Sequence, residues 1–158
     1  MKRHLSRFLL GIGIIVSAVL LLAASHWFYY RVIGQYAPIS HYKHHPEAFA
    51  LVADYVEHWP ESTQVQLTKT GLKITDDAGD LRNIADLQDN QLQAALTKIL
   101  GHDHFDMVAV MEGETYFIYQ TDYNFMNGIV VTGGERPRHP YIWKSIPLGN
   151  GVYYFISE

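Results

Sequence analysis

The chain has 158 residues, a formal net charge of −4, no cysteine and a hydrophobic share of 48%. That length accommodates one domain with a single core and excludes a large multidomain enzyme. The lack of cysteine excludes a disulfide scaffold, and the acidic balance excludes a generally basic nucleic-acid binder.

An unbroken block of 17 apolar or small residues, Phe8–Ala24, is the strongest signal in the chain. Crossing a hydrocarbon core takes about 20 residues, and the aromatic run over 27–30 extends the block with side chains that favour a membrane interface. We therefore expect residues 8–30 to form an uncleaved transmembrane helix. The alternative is a signal peptide that is cleaved near Ser25 and releases the rest of the chain.

The charges on either side of this block predict its orientation. Lys2, Arg3 and Arg7 precede it without any acidic residue, whereas nine basic and 16 acidic residues follow it, a formal charge of −7. Because flanking basic residues stay in the cytoplasm, residues 1–7 are expected inside and the remainder outside. The sequence thus predicts a single-pass protein that contacts the lipid bilayer through its N-terminal helix and has an extracytoplasmic domain.

Residues 31–45 have no sustained hydrophobic period, and we interpret them as a stalk before a domain over 46–158. Pro46 is typical of the first position of a helix, where its missing N–H is not needed. Apolar residues then repeat with helical spacing at Phe49, Val52, Ala53 and Val56. A second helix follows Asn90, which forms a capping-box pattern with Gln93. The apolar stripe of that helix consists of Leu92, Ala95, Leu96, Ile99 and Leu100.

Alternating apolar residues predict strands elsewhere. Val65 and Leu67 precede Thr70-Gly71, and Leu72 and Ile74 follow it, as in a strand pair with a tight turn or one strand bent at the glycine. A short helical turn is expected over 81–87. Five further strands are expected over 105–111, 114–121, 128–132, 141–146 and 152–157.

This order of elements predicts an α+β fold, with an N-terminal transmembrane helix followed by a small domain of two helices and a mainly antiparallel sheet. Glu112-Gly113 is a plausible two-residue hairpin turn. The hairpin would pair Val108 with Phe117 and Met107 with Ile118, which places apolar groups on both faces of the sheet. One face can take the helices, and the other requires sheet curvature, a partner or the stalk.

Two groups of histidines are the first candidates for chemistry. His41, His44 and His45 lie close to Glu47, and His102 and His104 lie close to Asp103 and Asp106. Imidazole and carboxylate ligands suit zinc, but neither group has a recognised ligand spacing. We therefore interpret them as solvated loop histidines and predict no metal and no cofactor.

Carboxylates are the second candidates. Glu47, Asp54 and Glu57 share a helix face with His58, and paired carboxylates can divide acid and base roles when they line a cleft. A solvated acidic face is the expected property of an amphipathic helix. The turn over 76–80 lacks the ligand spacing of a calcium loop. Nucleophile, phosphate-loop and dinucleotide motifs are absent, so no catalytic residue is predicted.

Aromatic residues make up 13% of the chain and many fall within 116–155. They are Tyr116, Tyr119, Tyr123, Phe125, Tyr141, Trp143, Tyr153 and Tyr154. Packing within a sheet explains such a set, and a partly exposed recognition surface is the alternative. The locally basic segment 133–140 is either a connector or a segment that contacts a partner.

These observations predict a non-enzymatic binding module of the bacterial cell envelope, which takes a protein, peptide or cell-wall ligand and no nucleic acid. Two alternatives remain. One is a small extracellular metal-dependent or acid–base hydrolase that uses His102, His104 or the carboxylate face. The other is an assembly subunit of a membrane complex, in which the anchor helix itself makes the contact.

Overall fold

A computed structural model describes residues 13–25, 34–76, 78–79, 81–101, 105–122 and 125–157. The chain divides into two compact units, Met1–Tyr36 and Ala37–Glu158. In the first unit, residues 13–25 form helix α1, whose side chains are exposed. In the described ranges, no helix is both long enough and apolar enough to span a membrane. The rest of the predicted anchor 8–30, and the basic residues before it, lie outside the described residues.

Helix α2, Gly34–His44, occupies most of the segment 31–45, for which the sequence predicts a stalk. The second compact unit begins inside this helix, at Ala37. Pro38 is buried, and Ile39 and Tyr42 pack against the core. Two features concealed this helix. The apolar residues that pack inward, Pro38, Ile39 and Tyr42, do not make a sustained helical repeat, and a proline inside a helix removes a hydrogen bond.

Helices α3 and α4 bury the predicted stripes against one face of the sheet, and α3 begins at Pro46, as predicted. Their bounds are Pro46–Val56 and Asn90–Ile99, with a short 3₁₀ helix before α4 at Ile84–Leu87. The predicted cap of α4 is wrong by one residue. Asp89 is the N-cap, because its backbone is extended and its carboxylate accepts hydrogen bonds from the N–H groups of Gln91 and Leu92, both at 2.9 Å.

In the part of the chain that the structure describes, the sheet has eight strands in the order β3-β2-β1-β4-β5-β6-β8-β7, and every neighbouring pair is antiparallel. Its strands are β1 Gln64–Thr68, β2 Gly71–Thr75, β3 Leu81–Asn83, β4 Met107–Met111, β5 Glu114–Asp122, β6 Phe125–Val131, β7 Ile142–Gly149 and β8 Val152–Ser157. The predicted α+β class and antiparallel sheet are confirmed. The first two strands are a pair with a tight turn, since Thr68 lies opposite Gly71.

The hairpin of β4 and β5 has the predicted register, with Val108 opposite Phe117 and Met107 opposite Ile118. Its turn residues, Glu112 and Gly113, have φ values of 53° and 68°. Positive φ at both central residues defines a type I′ turn, and glycine adopts that conformation without steric cost. The local pattern of the sequence was therefore sufficient to predict this part of the sheet.

Both faces of the sheet are apolar. One face carries the main core with α3 and α4, including Val108 and Phe117. The other carries a smaller cluster of buried residues: Ala109, Tyr116, Ile118, Val130 and Phe155. Residues 133–141, which connect β6 to β7 and are here called the strap, lie against this second cluster. The ring of His139 is 6.0 Å from that of Tyr116, so the strap contributes to the cover that the second face requires.

The two edges of the sheet are poor templates for a further strand. Edge strand β7 carries Lys144 and Pro147, and its register with β8 is irregular between Ile142 and Lys144 and again between Pro147 and Gly149. Lysine, proline and bulges are the features by which edge strands avoid pairing with another chain. The opposite edge, β3, is only three residues long. Neither edge therefore favours the addition of a strand from another chain.

Candidate functional site

Two histidines of the first group, His41 and His44, bond to backbone groups. His41 Nε2 lies 3.0 Å from the carbonyl oxygen of Lys98, and His44 Nδ1 lies 2.7 Å from that of Ser40. The ring of His41 also packs 5.2 Å from the ring of His45 and 6.0 Å from that of Phe49. These contacts are structural, because they join α2 to α3 and to the end of α4.

The second group, His102 to His104, lies outside the described residues. Among the described residues nearby in sequence, Gly101, Phe105 and Asp106 line a cleft of about 380 Å³ together with Lys69. Burial raises the pKa of the Asp106 carboxyl. Within the ranges that the structure describes, no three His, Asp or Glu side chains are grouped so that they could hold a metal ion.

The predicted carboxylate face of α3 is divided by the structure. Asp54 and Glu57 line a cleft of about 430 Å³ between α3 and one end of the sheet, whereas Glu47 and His58 do not. The remaining walls are formed by the β4–β5 turn, the end of β6 and Arg138 of the strap. Both side chains are exposed, so these two carboxylates border the concave site from the solvated face of the helix.

Glu114 also lines this cleft, and the sequence did not predict a role for it. It is 3% exposed, and its Oε2 accepts hydrogen bonds from the hydroxyl of Tyr116 at 2.9 Å and from the N–H of Arg138 at 2.8 Å. Oε1 is buried without a hydrogen bond, and the nearest cation is the Nε of Arg138 at 3.9 Å. Burial and the charge of Glu114 together raise the pKa of the Tyr116 hydroxyl.

The strap is pinned to the sheet along much of its length. The hydroxyl of Thr132 donates to the carbonyl of Gly134 at 2.8 Å, and the hydroxyl of Tyr153 donates to the carbonyl of Glu135. With the bond from Arg138 to Glu114, these contacts hold the backbone while the side chains of Arg136 and Arg138 remain exposed. An ordered backbone with exposed arginines suits a recognition segment, because little entropy is lost when it binds.

The aromatic set is mostly structural. Tyr116 and Tyr154 are buried, and Tyr119, Phe125 and Tyr153 pack against the two clusters. Tyr123 lies outside the described residues. The two that face solvent are Tyr141, 65% exposed, and Trp143, 48% exposed. The ring of Tyr141 lies 5.6 Å from that of His139, which connects it to the pinned strap.

The chain matches no protein-family model, no curated protein and no solved structure. Its function must therefore follow from its own side chains: the cleft with Glu114, the strap, and the two exposed aromatic residues.

Proposed function

We propose that this chain is a non-enzymatic binding module of the bacterial cell envelope. Its partner is a protein or peptide, and its recognition surface consists of Tyr141, Trp143 and the arginines of the strap. The observation that carries the proposal is the exposure of Tyr141 and Trp143, 65% and 48%, in a domain that packs the other described members of the set into its core. Tyrosine, tryptophan and arginine are the residues that most often dominate binding energy at interfaces.

The exposure of these two rings is unfavourable for the isolated domain. Burying a large apolar side chain stabilises a fold by roughly 1.5–3 kcal/mol, and the domain forgoes part of that at each position. The loss is recovered when a partner covers the rings. Each ring has only two side-chain torsions and Tyr141 already packs on His139, so binding orders little that was mobile. The exposed arginines beside them favour a partner with acidic groups.

We further propose that residues 8–30 anchor the module in the membrane, with residues 1–7 in the cytoplasm and the domain outside. Support comes from the uncharged run Phe8–Ala24 and the basic residues before it. Helix α1 extends to Ser25, whose hydroxyl donates to the carbonyl of Leu22 at 2.9 Å. The described part of the uncharged run is thus helical, which is the conformation that a membrane anchor needs.

This topology predicts that protease added to spheroplasts will digest a C-terminal tag and leave an N-terminal tag intact. The reason is that basic residues keep the N-terminus inside. Immunoblots of both tags, with a cytoplasmic protein as the control for lysis, measure the outcome. Protection of the C-terminal tag in intact spheroplasts would reverse the proposed orientation, and recovery of a shortened, membrane-free chain would show cleavage instead.

The recognition surface predicts that the double variant Tyr141→Ala/Trp143→Ala will recover at least about tenfold less of a specific partner than the wild type. Truncation of an interface anchor costs more than about 1 kcal/mol at each position, and 1.4 kcal/mol is a factor of ten in affinity. The measurement is crosslinking in membranes followed by affinity capture of the full-length chain and quantification of each captured protein.

Leu51→Ala is the matched control, because Leu51 is also exposed, at 37%, but lies on α3. Exchange of the anchor for an unrelated transmembrane helix separates this proposal from the assembly-subunit alternative. If a partner is no longer recovered after the anchor is exchanged but is still recovered with the double variant, the result would support that alternative and contradict the proposed surface.

One observation favours the hydrolase alternative in its acid–base form, since Asp54 and Glu57 share a cleft with the buried Glu114. Two carboxylates in different environments can act as acid and base. Turnover of chromogenic esters or glycosides by the wild type, lost in Asp54→Asn/Glu57→Gln, would establish it. The absence of turnover in the wild type would leave the binding module as the better account.

A further inference from the structure

The cleft beside α3 carries an excess of negative charge. Among the described lining residues, the carboxylates of Asp54, Glu57 and Glu114 stand against the guanidinium of Arg138. Glu61 lies at the same end of the sheet, where its carboxylate accepts a hydrogen bond from the N–H of Gly113 at 2.6 Å. A concave site with low-dielectric walls and charge of one sign concentrates ligands of the opposite sign. The field of this cleft therefore attracts cations.

Only one of the two carboxylate oxygens of Glu114 accepts hydrogen bonds. Both donors that it receives, the Tyr116 hydroxyl and the Arg138 N–H, are bound to Oε2. Oε1 is buried and receives no hydrogen bond. A buried carboxylate oxygen without a donor is unfavourable, and such an atom in a folded protein commonly marks a place for an additional partner. A hydrogen-bond donor can satisfy this atom, and the acidic lining of the cleft favours a donor with positive charge.

Arg138 shows which chemical group fits. Its guanidinium Nε is 3.9 Å from Oε1, too far for a hydrogen bond, and its side chain is 62% exposed. An ion pair that is open to water on one side contributes little, so a better-placed cation can displace it. Arg138 thus lines the cleft and pairs only weakly with Oε1 of Glu114.

We propose that this cleft binds the guanidinium group of an arginine side chain presented by another polypeptide. A guanidinium has five donors in a planar fork, so it can donate to the buried Oε1 of Glu114 and keep further donors for the other carboxylates that line the cleft, those of Asp54 and Glu57. A metal ion needs several ligating side chains close together. In the described part of the chain, no three His, Asp or Glu side chains form such a group, whereas an organic cation does not need one. The cleft shares Arg138 with the recognition surface but includes neither Tyr141 nor Trp143, so variants of the aromatic pair and of the cleft carboxylates test the two proposals separately.

The test is a titration of the full-length, ¹⁵N-labelled chain in detergent with N-acetyl-arginine amide at low ionic strength, followed by amide chemical shifts. We expect saturable shifts at Gly113, Thr132 and Gly133, which line the cleft, with a Kd on the order of 1 mM. N-acetyl-citrulline amide has nearly the same shape without the charge and should cause no such shifts. N-acetyl-arginine, which has a free carboxylate and a blocked amine, should bind several-fold more weakly, because that carboxylate is repelled by the cleft.

Variants assign the binding to these carboxylates. Asp54→Asn/Glu57→Gln should weaken binding by about tenfold or more, whereas Glu47→Gln, on the same helix but outside the cleft, should leave it unchanged. Arg138→Ala should tighten binding several-fold, because the internal competitor is removed. Glu114→Gln should abolish the shifts. If that variant fails to fold, Asp54→Asn/Glu57→Gln provides the same test, because both of its side chains are exposed. Equal shifts with citrulline amide, or binding that survives Asp54→Asn/Glu57→Gln, would overturn the proposal.

Discussion

Replacement of Gly128 by alanine should lower the free energy of unfolding by at least about 3 kcal/mol. A Cβ at this position would lie 1.9 Å from the carbonyl oxygen of Phe117 and 3.1 Å from the Cα of Ile118. Both atoms belong to the backbone of the interior strand β5, next to the irregularity between Ile118 and Gln120. Backbone in the middle of a sheet cannot move aside as a side chain can, so the cost lies at or above the upper end of the range for overpacking.

Gly133→Ala is the matched control for this variant. A Cβ there meets no atom within 4 Å, so we expect a change smaller than about 0.5 kcal/mol, or slight stabilisation through the unfolded state. Denaturant unfolding of the full-length chain in the same detergent measures both. Equal effects of the two substitutions on the free energy of unfolding would contradict the close approach of β6 to β5.

Replacement of Phe49 by alanine should lower the free energy of unfolding by about 3–5 kcal/mol, the usual cost of truncating a buried phenylalanine. Phe49 is fully buried, and its ring lies 4.7 Å from that of Phe117, 5.2 Å from that of Phe105 and 5.4 Å from that of Tyr42. One side chain thereby joins α2, α3 and the sheet. The variant should lose near-ultraviolet circular dichroism at a lower denaturant concentration than the wild type.

The control lies two residues along the same helix. Leu51→Ala removes an apolar side chain that is 37% exposed, and we expect it to cost less than about 1 kcal/mol. A small effect of Phe49→Ala, similar to that of Leu51→Ala, would mean that α2 and α3 do not pack on the sheet through this ring.

Elements with a local signal could be predicted from the sequence. The stripe of α4 and the register of the β4–β5 hairpin follow from periodicity and turn chemistry within a few residues. Helix α2 could not be predicted, because its stability comes from contacts of Pro38, Ile39 and Tyr42 with a distant core. The cap of α4 was misplaced because Asp89 and Asn90 are both good capping residues, and only the backbone conformation distinguishes them.

The candidate sites were less predictable for the same reason. Alternation along a strand identifies residues that share a face but does not identify which face remains open, so Tyr154 and Trp143 looked equivalent. Irregular pairing in β7 also changes which positions face the core. The importance of Glu114 depends on the backbone N–H of Arg138, 24 residues further along the chain. No local pattern around Glu114 contains that information.

The central claim is that the chain acts by binding a partner at Tyr141 and Trp143. Its most direct test is site-specific photocrosslinking in intact membranes, with a photoreactive phenylalanine analogue placed at position 143 or at position 51 of the full-length chain. The proposal predicts one discrete adduct from position 143, several-fold weaker when Tyr141→Ala is added, and no matching adduct from position 51. The same adducts from both positions, or none from position 143, would contradict it.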